Sequence, residues 1–196
     1  RREQQSWFGG ETLSIGIGQG YNAYTPLQLA HALAGLVNDG KLIQPHLVKE
    51  IINPATGDSL PVPLQTTQLK IKPEHLQAVR AAMHDVTRVG TAARAFAGAP
   101  YTAGAKTGTA QVFSLRGQKY EEGKVAERLR DHSWFIGFAP AEKPEIVIAV
   151  LVENGGFGSQ SAAPLARQVF DFYLLNKQAD APASEEDEAL AAELEQ

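Results

Sequence analysis

Apolar residues recur along the chain with two spacings, and the switches between them mark out the elements. From Thr25 to Gly40 they come every three or four positions (Leu29, Ala32, Leu33, Leu36, Val37), the period of a helix with one buried face. This segment also carries its own boundaries. Thr25 is an N-cap, Pro26 fits the first helical position, and Gln28 completes a capping box. Asn38-Asp39-Gly40 ends the helix. The same period over 72–89 (Leu76, Val79, Ala82, Met83, Val86), opened by Pro73 and closed near Gly90, predicts a second helix. A third amphipathic helix is expected over 163–176.

Elsewhere the pattern favours strands. Residues 105–113, 133–138 and 146–152 are short runs rich in β-branched and aromatic side chains. The stretch 46–64 reads as two short strands around an Asn-Pro…Gly-Asp turn. Residues 12–20 begin like a strand and dissolve into glycines at 16, 18 and 20, while 1–11 form a polar surface lead-in. Between the first two long strands lies a charged insert, 114–132, too long for a hairpin turn. Helices and consecutive strands follow one another without regular βαβ alternation. The fold class expected is therefore α+β, an antiparallel sheet flanked by helices.

Composition changes this picture at one end only. The 196 residues carry a net charge of -4, but seven acids and no base follow Lys177. Residues 1–177 are close to neutral and read as one domain; 178–196 form an acidic, alanine-rich tail expected to be disordered. Acidity confined to a tail gives no case for nucleic acid. The chain has no cysteine, which removes disulfides and thiolate chemistry. Its only methionine is Met83, so Arg1 is not expected to be a translation start. The five histidines show no metal-binding spacing.

The candidate chemistry lies in "AGAKTGTAQVF", residues 103–113. A phosphate-cradling loop needs glycine directly before the lysine and a helix directly after. Here Ala105 precedes Lys106, and strand-forming residues follow. Read as a strand, the segment puts Lys106 and Gly108 on one face and Thr107 and Thr109 on the other. A fixed cation, two hydroxyls and a glycine permitting close approach suit an extended peptide ending in a carboxylate. On these residues alone, the segment reads equally as an edge strand whose lysine discourages aggregation. Asp131-His132-Ser133 has the residue types of a catalytic triad, but neighbours on a strand point to opposite faces and form no relay. The glycines of "GIGQG" read as a tight chain passage before the first helix, with a ligand contact as the alternative.

Lys-Thr-Gly is also the third motif of penicillin-binding proteins and class A β-lactamases. Together with "GETLSIGIGQGYNAYTPLQLAHALAGLVNDG", "AERLRDHSWFIGFAP" and "ENGG", it resembles the C-terminal half of the transpeptidase domain of the penicillin-binding protein 2 family. These are class B, elongation-associated enzymes of Gram-negative bacteria. The resemblance runs in order from about Gly9 to Leu175.

It implies a serine D,D-transpeptidase that cross-links peptidoglycan stem peptides, accepts β-lactams, and needs no metal or organic cofactor. Lys106 would orient the upstream Ser-x-Asn motif and attract the substrate carboxylate. Thr107 and Thr109 would hydrogen-bond that carboxylate, and Gly108 would leave space for the nucleophile-bearing helix. The Thr109 N–H would be one oxyanion donor. The implied partners are the N-terminal half of the same domain and elongation-complex membrane proteins, including a glycosyltransferase. The implied location is the periplasm, with an inner-membrane anchor upstream. None of the eight serines has Lys three residues on or Asn two residues on, so this chain supplies the substrate side of the site without the nucleophile. The other readings are a D,D-carboxypeptidase or β-lactamase of the same fold, or a non-catalytic assembly module. Loss of the upstream helices predicts bare apolar faces on strands 133–138 and 146–152.

Overall fold

The computed structural model describes residues 7–112 and 126–175. In chain order the first elements are α1 (Gly9–Gly16), α2 (Pro26–Val37), β1 (Lys41–Ile43), β2 (Glu50–Ile52), β3 (Ser59–Pro61) and β4 (Thr66–Gln68). Helix α3 (Pro73–Arg88) and the short α4 (Ala93–Phe96) follow. Then come β5 (Gly104–Ala110), a 3-10 turn at Glu127–Leu129, β6 (His132–Ala139), β7 (Ile146–Val152) and α5 (Ala162–Leu175). The α+β class holds: β5, β6 and β7 form one antiparallel sheet in that order, with β5 on an edge. Two antiparallel pairs, β1 with β4 and β2 with β3, stand apart from it.

The alternation of β6 explains both layers around the sheet. Ser133, Phe135, Gly137 and Ala139 face one way, and Trp134, Ile136 and Phe138 the other. On the first face Phe135 packs with α5 through Ala162, Ala163, Ala166 and Phe170, all fully buried. Three alanines on one helix face let α5 lie close, and Phe96 of α4 stacks on Phe135 at 5.9 Å between ring centroids. On the second face Leu33 and Val37 of α2 cover Phe138, with Met83 of α3 beside them. Cover on that side thins toward Trp134, which is only half-buried.

Helix α2 forms as its caps dictate. Gln28 N–H donates to Thr25 Oγ1 at 3.2 Å, and Thr25 N–H donates to Gln28 Oε1 at 2.9 Å. Within its expected stripe Leu33 and Val37 are buried, whereas Ala32 is exposed. The stripe of α3 is rotated from the expected one. Leu76, Met83 and Thr87 are buried, and Val79 and Ala82 face solvent. Arg80 takes the intervening place, donating to Ala141 O at 3.3 Å and to Glu142 O at 3.1 Å. A guanidinium that reaches two backbone carbonyls competes well with a neighbouring valine for the inward position.

Two expectations need correction. Residues 12–20 do not begin as a strand; they belong to α1 and its C-terminal turn, and α1 also takes in Gly9–Glu11 of the lead-in. Glu11 is the local cause: its Oε2 accepts from Phe8 N–H at 2.9 Å, and its charge suits the positive helix start. The turn after α1 is a Schellman motif. Gly18 (φ +79°) donates to Ile15 O at 2.9 Å, and Gln19 N–H donates to Ser14 O at 2.9 Å.

The second correction concerns the sheet faces. None of the large apolar side chains of β6 and β7 is exposed, because α2 and α5 already occupy the two faces. The exposed apolar surface lies instead over 7–27, on the 46–64 hairpin and on the outer face of α5, where Leu165, Val169, Phe172 and Tyr173 face solvent. That hairpin matches expectation, with Glu50 opposite Pro61 and Ile52 opposite Ser59. The pair β1–β4 and the helix α4 are additions that the hydrophobic pattern did not reveal. The strand expected over 105–113 ends at Ala110, and residue 113, residues 114–125 of the insert and the tail 178–196 lie outside the described residues.

Candidate active site

Strand β5 reads Gly-Ala-Lys-Thr-Gly-Thr-Ala and pairs with β6 along its whole length, Lys106 opposite Ile136 and Gly108 opposite Trp134. Among the described residues its other edge has no strand beside it. In an antiparallel ladder the N–H and C=O of one residue point the same way. The odd-numbered residues of β5 turn theirs to the free edge, as their carbonyl partners show. Just before the strand Ala103 O accepts from Thr87 Oγ1 at 2.6 Å; within it Thr107 O accepts from Lys106 Nζ at 2.5 Å and Thr109 O from Gln19 Nε2 at 2.8 Å. Helix α3 thus covers the start of the edge, and 107–109 open onto a cleft.

The cleft has a volume of about 980 Å³. Lys106, Thr107, Gly108 and Thr109 all line it, since both faces of an edge strand reach the space beside it. Trp134 and Ile136 form an apolar floor, the turn after α1 makes one wall, and Phe157-Gly158-Ser159 makes another. Gly158 is there for close approach: a Cβ on it would sit 2.5 Å from Gly108 O and 2.4 Å from Trp134 O. The 155–159 loop therefore lies flush against the ladder at the point where β5 opens.

The predicted residues fall into different situations. Lys106 is exposed, with its ammonium folded back over the strand. Thr107 is buried, and its hydroxyl pairs with that of Thr91 at 2.6 Å. A ligand reaches the Thr107 hydroxyl only by sharing it with Thr91. Thr109 is half-buried and faces the open edge. Gly108 lies on the Trp134 face, where an added Cβ would come to 3.2 Å from Trp134 Cβ. Sequence reasoning missed Thr91 and Gln19. Thr91 left no local signal; Gln19 had one in the Gly18 that sets the Schellman turn.

Asp131, His132 and Ser133 serve the scaffold separately. Ser133 is fully buried, and its Oγ accepts from Ala162 N–H at 3.0 Å and donates to Phe157 O at 3.2 Å. It anchors the start of α5 and the cleft loop together. His132 Nδ1 accepts from Asn154 N–H at 2.8 Å. Burial pushes the Asp131 carboxyl up, opposed by the Val112 N–H it accepts. On the far side of the sheet, burial and then the bond to Asp171 push the Tyr101 phenol up. Arg167 completes that cluster, donating to Asp171 at 2.8 Å and pinning α5 to the strap before β5.

Residues 2–171 match the family described as the penicillin binding protein transpeptidase domain. The chain belongs to that family. Among curated transpeptidase relatives it is 43% identical over 181 residues to peptidoglycan D,D-transpeptidase MrdA of Haemophilus influenzae, covering 89% of this chain and 27% of that one. Among solved transpeptidases, PBP2 of Pseudomonas aeruginosa in complex with WCK 5153 superposes with a TM-score of 0.69 at 38% identity. That match covers 92% of this chain and 37% of the other. PBP2 of Helicobacter pylori in complex with MreC gives 0.67 at 34% identity, over 89% and 29% of the two chains. The chain thus spans about a third or less of the penicillin-binding proteins it matches.

Proposed function

We propose that this chain forms the substrate-carboxylate and oxyanion side of a peptidoglycan D,D-transpeptidase, in which an upstream serine supplies the nucleophile. The observation that carries this reading is the Lys-Thr-Gly strand on the free edge of the sheet, its Thr107 and Thr109 backbone groups turned into the cleft. An extended stem peptide adds to such an edge as a strand does, and its terminal carboxylate finds Lys106 and the threonine hydroxyls. The serine attacks the penultimate D-alanine carbonyl and the terminal D-alanine leaves. The acyl group then passes to an amine of a neighbouring strand.

The N–H of Thr109 faces the position of the developing oxyanion, and the serine's own N–H is its partner donor. Losing one such donor costs about 3–4 kcal/mol of transition-state stabilisation. Catalysis resides in the completed domain, since no serine here carries the Ser-x-x-Lys spacing that activates it. β-Lactams enter by the same edge. The family relationship supports a periplasmic site and an inner-membrane anchor upstream. The complex of the Helicobacter pylori relative with MreC supports elongation-complex proteins as partners.

Fluorescent penicillin tests the reading. Incubated with this chain alone it should give no covalent band; with the upstream half of the domain present, a band should appear on that half. A full-length protein that folds and takes no label would overturn the proposal.

A further inference from the structure

The turn after α1 holds one side chain directly against the reactive edge. Gln19 Nε2 donates to Thr109 O at 2.8 Å across 90 residues of sequence. Its backbone is tightly fixed. Gln19 N–H is bonded into the Schellman turn at Ser14 O, and Asn22 Nδ2 donates to Gln19 O at 3.0 Å and to Ile15 O at 3.1 Å. Gly18 and Gly20 flank it with φ of +79° and +69°, conformations that other residues adopt only under strain. The Gln19 amide is thus presented from a fixed backbone.

We propose that Gln19 is a positioning residue for the oxyanion edge, a role that rests on the transpeptidase reading above. Thr109 lies near the end of β5, with no strand on its outer side among the described residues, so its outward-facing groups lack the ladder bonds that fix an interior strand. The Gln19 amide supplies the missing bond. By holding Thr109 C=O it sets the backbone angles at Thr109, and with them the direction of the Thr109 N–H. An oxyanion donor works through its direction and distance, and one fixed in advance needs no reorganisation during the reaction. Gln19 does not touch the reacting atoms. It acts on the rate of acylation through the strand, while ligand affinity stays with Lys106 and the threonines.

The test uses the full-length enzyme carrying this sequence, with Gln19→Glu and Gln19→Met as side chains of similar length that cannot donate. Acylation by a fluorescent penicillin is resolved into a pre-covalent Kd and a limiting rate. The limiting rate is expected to fall about 10-fold in both variants, the scale of one lost hydrogen bond, with Kd essentially unchanged. Without ligand, amide exchange at Ala110, whose N–H shares the Thr109 peptide plane and points into the β5–β6 ladder, should quicken in both, which reports the loosened edge even where acylation is too slow to resolve. Limiting rates within about 2-fold of the parent, a change confined to Kd, or unaltered exchange would each overturn the role. A parent protein that takes no penicillin would instead defeat the transpeptidase reading itself.

Discussion

Two regions of this molecule are stabilised in different ways. In the β5–β6–β7 layer, Phe135, Phe138 and Phe170 are fully buried, and helices close both faces of the sheet. In α1 and the 46–64 hairpin the large apolar side chains face outward: Leu13 is 75% exposed, Ile17 78% and Leu60 68%. The first region is stabilised by its packing, the second by local bonds such as Glu11 to Phe8 and the Schellman turn. The candidate site lies where they meet. Its charge and hydroxyls come from the packed sheet, and the amide that steadies the edge comes from the turn after α1. A strand braced by a side chain from a tightly bonded turn is a sound way to hold an open edge in place while substrate enters beside it.

The contrast can be broken most directly in the core. Phe135→Ala should cost about 3–5 kcal/mol, because stacked and alanine-lined neighbours cannot collapse into the hole. Denaturant unfolding measures it, and a loss no larger than that of a surface residue would mean that the sheet is not the stable unit. Lys106→Ala in the full-length enzyme should lower penicillin acylation about 100-fold or more while leaving the melting temperature nearly unchanged, since an exposed lysine contributes little to folding. Equal acylation would return Lys106 to the role of an edge guard.

Ser133→Ala sits between structure and chemistry. It strips two bonds from a fully buried hydroxyl and should cost about 1–3 kcal/mol. Penicillin should still label the upstream serine, and a lost label at unchanged stability would make Ser133 part of the reaction. On the other side of the comparison, Leu60→Ala in the hairpin should change stability by no more than about 0.5 kcal/mol. A larger loss would reveal packing on that hairpin that the fold does not display.

The smallest effect is one of pH. Burial raises the Asp131 carboxyl, so the native state holds that proton more tightly than the unfolded chain does. Its contribution is fully present below the unfolded value and fades as pH rises through the native one. Asp131→Asn should therefore raise the melting temperature modestly at pH 7 and hardly at all near pH 3. The reverse order would show that the Val112 N–H outweighs desolvation.

Much of this was legible in the residues themselves. Thr25, Pro26 and Gln28 announce the start of α2, and the apolar, aromatic run 133–138 announces a strand that proves to span His132–Ala139. Lys106-Thr107-Gly108-Thr109 offers a cation and hydroxyls that suit a carboxylate, and the same residues suit an edge strand whose lysine discourages aggregation. These signals act within a few residues, through caps, period and side-chain type. The failures are those in which a distant partner decides. Leu13, Ile15 and Ile17 alternate like a strand, yet among the described residues no strand lies beside them to pair with, and Glu11 with Gly18 makes them a helix and its C-terminal turn. Thr107 looks like a free hydroxyl until Thr91 is brought within 2.6 Å of it. Gln19 reads as part of a glycine-rich passage until the fold sets its amide on Thr109, 90 residues away. Sequence alone determined which charged and hydroxyl groups the β5 strand carries. Tertiary structure decided which were already engaged and which edge stayed open, because hydrogen bonds between distant segments form only when packing has set their distance.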